Sequence, residues 1–190
     1  MATKLKFGLL LPHFCEYGSA ELCIEGSKKA EAYGFDSVWV RDHLVFEPHG
    51  MEGEDNTHIE GLLILAAISS VCKKLTLGTG TMISHRHPIH LAQSMAGLST
   101  MCENIIMGLG LGTFPHEFEA AGHTKTTLQD RANIAKVIPV LLERSSSDRR
   151  RNDYAEVLPR YFAGKGATRH VNAPVSRCGT SRGNNSMRAG

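Results

Sequence analysis

Gly34-Phe-Asp-Ser-Val-Trp-Val-Arg-Asp-His-Leu44 (GFDSVWVRDHL) sets the reading of this chain. Gly34 stops a helix, Ser37–Val40 is an apolar strand, and the strand breaks off into Arg41-Asp42-His43. A buried strand gains nothing by ending in a cation, an anion and an imidazole. In parallel α/β folds, however, the C-terminal ends of the strands form the functional rim. The stretch therefore reads as the junction between a core strand and a site.

The same unit recurs on both sides. Leu5–Leu11 is a nearly continuous apolar run ended by Pro12, as expected of a strand buried on both faces. Ser19 can cap a helix with Ala20, Cys23, Ile24, Ser27 and Ala30 on one face. Thr57-His-Ile-Glu60 is a capping-box pattern opening a helix with Leu62, Leu65, Ala66, Ser69 and Cys72 inward. Leu75–Gly78 predicts a third strand, and Pro88 begins a third helix with Leu91, Met95 and Leu98 inward. Ile105–Leu109 predicts a fourth strand. Thr126-Thr-Leu-Gln129 predicts the cap of a last helix, with Leu128, Ala132, Ala135 and Leu142 inward and Pro139 as a kink. Strands alternating with amphipathic helices imply βαβ units and a parallel sheet, either doubly wound or part of a (β/α)8 barrel.

Residues 1–143 thus form one domain, and residues 144–190 differ from it. The 190-residue chain has a net charge of +2, but residues 144–190 carry ten Lys and Arg against three Asp and Glu. The pattern of that stretch fits a basic disordered tail or a frame-shifted end of the domain. It lacks the interleaved aromatics of a nucleic-acid-binding arm. Five cysteines without a C-x-x-C pair read as reduced thiols of a cytoplasmic protein. Neither a signal peptide nor a membrane span is expected.

Each strand end carries polar or glycine-rich residues. Pro12-His13-Phe14 follows the first, Arg41-Asp42-His43 the second, Thr79-Gly80-Thr81 with His85-Arg86-His87 the third, and Gly110, Gly112, Thr113, His116 and Glu117 the fourth. The run GLGLGT is not a dinucleotide fingerprint, because the third glycine of G-x-G-x-x-G falls on Thr113. Gly78 and Gly80 either let a flat ligand approach the backbone or mark a tight turn. His43, His85 and His87 are an imidazole set of the kind that holds zinc, but no carboxylate stands at ligand spacing, so no metal is expected. His85 and His87 read instead as solvated loop or rim residues, with Arg86 the better phosphate partner. His43 reads as a proton donor or acceptor, with Asp42 fixing its tautomer or binding a ligand hydroxyl; otherwise the two cap the strand end.

Four motifs, FGLLLPHF (7–14), AEAYGFDSVWVRDHLVFEPHG (30–50), LTLGTGTMISHRHPIHLAQSMAGLST (75–100) and IIMGLGLGTFPHEFEAAG (105–122), resemble the luciferase-like monooxygenase family in sequence and order, its F420-dependent branch above all. The resemblance covers residues 4 to about 143. It implies α/β architecture of the (β/α)8 TIM-barrel type, here reduced to about four βα units. It also implies a flavin or deazaflavin at the C-terminal rim, with coenzyme F420 favoured and FMN the alternative. Carried over by motif, His43 is the catalytic residue. Asp42, Thr79, Gly80, Thr81, Gly110 and Gly112 are cofactor-binding, and a non-proline cis peptide is expected at Gly80–Thr81. Glu117 falls on a family EF-x-x-x-G element, and Arg131 on a structural arginine. The acid–base glutamate of the sugar-phosphate-oxidising members corresponds to Thr113, so that substrate is not expected. The implied activity is an oxidoreductase or monooxygenase acting on a small organic molecule, in a homodimer or with a partner that completes the barrel. The competing readings are a non-catalytic half-barrel or pairing subunit, and a metal-dependent barrel hydrolase.

Overall fold

The computed structural model describes residues 5–47 and 54–147. The reading of 144–190 as an irregular tail therefore lies almost wholly outside the described residues. Within them, the last helix runs to Ser147, past the expected end.

Four parallel strands, β1 (Gly8–Leu10), β2 (Ser37–Val40), β3 (Thr76–Ile83) and β4 (Ile105–Gly110), lie side by side in sequence order. Helices α1 (Ala20–Ala32), α2 (Gly61–Val71) and α3 (Pro88–Ser99) connect them. The short α4 (Pro115–Ala120) and the long α5 (Leu128–Ser147) follow β4. Order 1-2-3-4 with one helix per crossover is the winding of a (β/α)8 barrel.

Local chemistry accounts for most of the boundaries. Ser19 Oγ accepts the Leu22 N–H at the start of α1, and Gly34, at φ +82°, turns the chain beyond its end. Pro88 occupies the first turn of α3. Two caps differ from the sequence reading. Glu60, rather than Thr57, caps α2 by accepting Leu63 N–H at 2.8 Å. Thr127 pairs with Asp130 at the head of α5: Asp130 Oδ2 accepts Thr127 N–H at 2.9 Å, and Thr127 Oγ1 accepts Asp130 N–H at 3.2 Å. Both shifts place the acidic side chain where it meets free amides. The helix α4 was not foreseen.

Register gives each face of the sheet its identity. Leu9, Val38, Leu77 and Ile105 are lateral partners, and the central pair is buried under the helices. Val38, Val40 and Leu77 meet Leu62, Ile64, Leu65 and Ile68 of α2 and Leu91, Met95 and Leu98 of α3 in one core. Each such side chain contributes about 1.5–3 kcal/mol by leaving water. On the opposite face the lateral row is Leu10, Trp39, Gly78 and Ile106. Leu10 and Ile106 are half exposed there, which corrects the expectation of a first strand buried on both faces. The Trp39 indole fills the row's centre and packs where a Cβ on Gly78 would stand. Gly78 therefore makes room for tryptophan, not for a ligand. The inward stripe of α5 is corrected in part, Leu142 packing against the core as expected. Val137, Ile138 and Leu141 are buried, several of them against α3, whereas Leu128 is exposed.

Candidate functional site

The rim is organised by a break in the β3–β4 ladder. Thr79 pairs with Met107, but Met82 pairs with Leu109, so β3 carries one extra residue between these pairs. The Gly80–Thr81 peptide within that bulge is cis. Thr81 within the bulge and Ile83 beyond it occupy the space that a Cβ at Gly110 would need. Gly112, at φ +75°, turns the chain out of β4, and a Cβ there would lie 2.6 Å from Ile83 and 2.7 Å from Phe118. Around this wall opens a cavity of about 300 Å³, at the small end of ligand sites. Its polar lining includes Arg41, His43 and Glu117, and its apolar flank Ile83, Leu111 and Phe114.

His43 closes one side. Its Nδ1 lies 3.0 Å from Oε1 of Glu117, and the same oxygen accepts the Leu44 N–H at 2.9 Å. Glu117 is 1% exposed. The imidazole meets Phe46 edge-on at 5.1 Å and lies near Phe114 and His58 at 5.6 and 6.0 Å. Glu117 is held in place because Phe118 beside it stacks under the Arg131 guanidinium at 3.6 Å, while Arg131 Nη1 donates to the Gly112 carbonyl at 3.1 Å. Arg131 is thus structural, as expected, and ties α5 to the end of β4.

A second group of rings lies behind His43. His13 is fully buried: its Nδ1–H donates to the Ile59 carbonyl at 2.7 Å and its Nε2 accepts the Arg41 N–H at 2.9 Å. These two bonds require the neutral ring. Burial pushes the His13 pKa down, and it pushes His58, 5.1 Å away, down to about 4. The segment bearing His58 is fastened by an antiparallel bridge between Phe14 and His58. The Arg41 guanidinium lies 3.7 Å above the Phe14 ring.

The structure brings some expected residues together and separates others. His43, Gly80, Thr81, Gly110 and Gly112 share the cavity. Thr79 does not: it is fully buried, donating from Oγ1 to the Gly108 carbonyl and accepting the Gly108 N–H. Asp42 borders the cavity, but its carboxylate is fully buried, accepting Ile83 N–H at 2.8 Å and a bidentate grip from Arg86. It therefore does not orient His43. Arg86 also donates to Glu60 at 2.7 Å, which commits the guanidinium expected to meet a phosphate. His85 is buried edge-on to Phe118 rather than solvated, and His87 is exposed. No group of three metal-ligating side chains forms among the described residues. The sequence reading missed Glu117 as the partner of His43. Its signal was an acid set between Phe114 and Phe118, three residues after Phe114 and next to Phe118.

Four parallel βα units, a glycine–threonine wall and a histidine–glutamate pair at one strand-end mouth define a rim-site α/β protein of the (β/α)8 barrel type. The chain belongs to the luciferase-like monooxygenase family, whose model matches residues 7–173. It is 28% identical over 149 residues to an F420-dependent glucose-6-phosphate dehydrogenase of Amycolatopsis mediterranei (strain U-32), covering 75% of this chain and 43% of that protein. Among solved structures it resembles an F420-dependent secondary alcohol dehydrogenase in complex with an F420-acetone adduct (26% identity, TM-score 0.60, 73% of this chain and 42% of that one). It shares its fold with long-chain alkane monooxygenase (14% identity, TM-score 0.65, 77% and 40%). It also shares it with the oxygenating constituent of 3,6-diketocamphane monooxygenase from Pseudomonas putida, solved with FMN (18% identity, TM-score 0.60, 76% and 40%). The chain spans less than half the length of each.

Proposed function

We propose that this chain carries the ring-binding half of a deazaflavin- or flavin-dependent oxidoreductase or monooxygenase of the cytoplasm, with F420 as cofactor and FMN the alternative, acting on a small organic molecule. The observation that carries this reading is that His43, backed by Glu117, shares one cavity with Gly80, Thr81, Gly110 and Gly112. A flat heteroaromatic ring suits such a lining: Gly80 and Thr81 take up little room, Ile83 and Leu111 provide apolar contact, and Arg41, His43 and Glu117 supply polar groups.

Bound there, such a cofactor supplies hydride transfer or oxygen activation at its ring. The chain's own residues supply the rest. Gly80, Thr81, Gly110 and Gly112 set the height of the ring's seat. Phe114 and Leu111 exclude water from it. His43 holds or releases a proton at the cavity, the role for which an imidazole is suited near neutral pH. Asp42 and Arg86 lock the bulged strand onto the end of β2 and take no part in proton transfer. Thr113, which lines the cavity, stands where the family resemblance puts the acid–base glutamate of the sugar-phosphate-oxidising members, which favours a different substrate.

Titration of the purified chain with F420 and with FMN, followed by cofactor fluorescence, tests the proposal. Saturable binding that His43→Asn leaves in place, with loss of turnover in that variant, is expected. Binding of neither cofactor overturns it.

One observation favours a second reading, a βα scaffold that acts only when paired. On the face opposite the helices Leu10 and Ile106 are half exposed, and within the described residues β1 and β4 are sheet edges. Such a surface calls for further strands, from the same polypeptide or from another copy. Light scattering after size exclusion distinguishes the two: a cooperative monomer that binds cofactor removes the paired reading.

A further inference from the structure

Among the described residues, Asp42 adjoins His43 in the chain and Glu117 meets it in space, and their commitments differ. Asp42, its chain neighbour, has no exposed side-chain surface and both of its oxygens engaged by Arg86, with Ile83 N–H on Oδ2 as well. Glu117 comes from 74 residues away and meets Nδ1 of the ring. Its Oε1 already accepts the Leu44 N–H, so it faces His43 as an acceptor. An acceptor at 3.0 Å from an imidazole nitrogen requires the hydrogen to sit on that nitrogen. The neighbouring imidazoles cannot supply the same hold. His13 has both nitrogens occupied by backbone, and His58 meets His43 only through ring contact. The ring is walled by Phe46 and Phe114, so the orientation set by Glu117 is kept.

We propose that Glu117 is a positioning residue that holds His43 as the Nδ1–H tautomer, so that Nε2 is the nitrogen exchanging a proton with whatever the cavity binds. This rests on the reading of His43 as the proton-transfer group. A ring in the other tautomer would set an unprotonated Nδ1 against Glu117 Oε1 at 3.0 Å, two acceptors with no hydrogen between them.

The test uses the full chain, labelled with ¹⁵N-histidine and without added cofactor, in long-range ¹H–¹⁵N spectra at mildly alkaline pH. His43→Asn assigns the His43 signals by their disappearance. A pyrrole-type Nδ1 and a pyridine-type Nε2 are expected in the wild type. Glu117→Gln keeps the oxygen acceptor and should keep that signature. Glu117→Met fills the same volume without an acceptor and should lose it to a mixture of tautomers. A role in packing alone predicts no difference between the glutamine and methionine variants, and that result overturns the proposal. A wild-type spectrum showing the Nε2–H tautomer overturns it too, and decides the matter even where Glu117→Met does not fold. Because the readout needs no cofactor, failure of F420 or FMN to bind would remove the functional reading and leave this result standing.

Discussion

Asp42 and Arg86 form a close, bidentate ion pair on the rim: Nη2 lies 2.6 Å from Oδ1, and Nε lies 3.0 and 2.9 Å from the two carboxylate oxygens. The pair joins the end of β2 to the loop after β3, and Ile83 N–H adds a third donor to the same carboxylate. An aspartate beside a rim histidine invites a catalytic role, yet here it is a clasp.

Asp42→Asn removes the charge facing a guanidinium whose partner side chain is fully buried. The expected cost is about 3 kcal/mol in urea denaturation, as for a broken buried pair. Glu60→Gln, at the more exposed end of the same guanidinium, should cost below about 1 kcal/mol. Equal costs would show that the clasp is not where the energy lies.

Trp39, the chain's single tryptophan, reports on the face opposite the helices. Gly78→Ala places a methyl where the indole packs and should destabilise by about 1–3 kcal/mol through overpacking, with a red shift in emission as the ring is pushed outward. An unchanged emission maximum would mean the indole does not depend on that space.

Stability should fall in mild acid. The folded pKa of His58 is lowered from 6.5 to about 4, and that of His13 is lowered too, both by burial. Between about pH 6.5 and 4 the unfolded chain therefore binds more protons than the folded one, so stability is complete above that window and is lost as pH drops through it. Protonating His13 also removes the acceptor of Arg41 N–H. Urea midpoints at a series of pH values check this, and His58→Gln should flatten the slope.

His43→Asn should lower turnover by about 10²–10⁴-fold, the usual contribution of a placed acid or base, while cofactor affinity is retained. A parallel loss of binding and turnover would make His43 a binding residue. Gly112→Ala, at φ +75° and against Phe118, should cost about 1–2 kcal/mol and loosen the seat of Glu117, seen as lower thermal stability together with weaker cofactor binding.

Much of this protein follows from local pattern. Apolar runs of strand length, Ser19 before a 3/4-spaced helix, Gly34 after it and Pro88 at the next start dictate the βα order, because capping and burial act within a few residues. The strand-end rule placed His43, Gly80, Gly110 and Gly112 at one mouth, because the C-terminal ends of parallel strands lie together. The bonding at that mouth was decided only by the tertiary structure. Which carboxylate meets His43 depends on packing that brings Glu117 across 74 residues while Arg86 draws Asp42 away, and no spacing in the chain encodes that choice. Likewise, the glycine at 78 is explained by an indole on the neighbouring strand. Sequence pattern specifies what each segment becomes, whereas a polar side chain's partner is set by which groups the fold leaves together out of water.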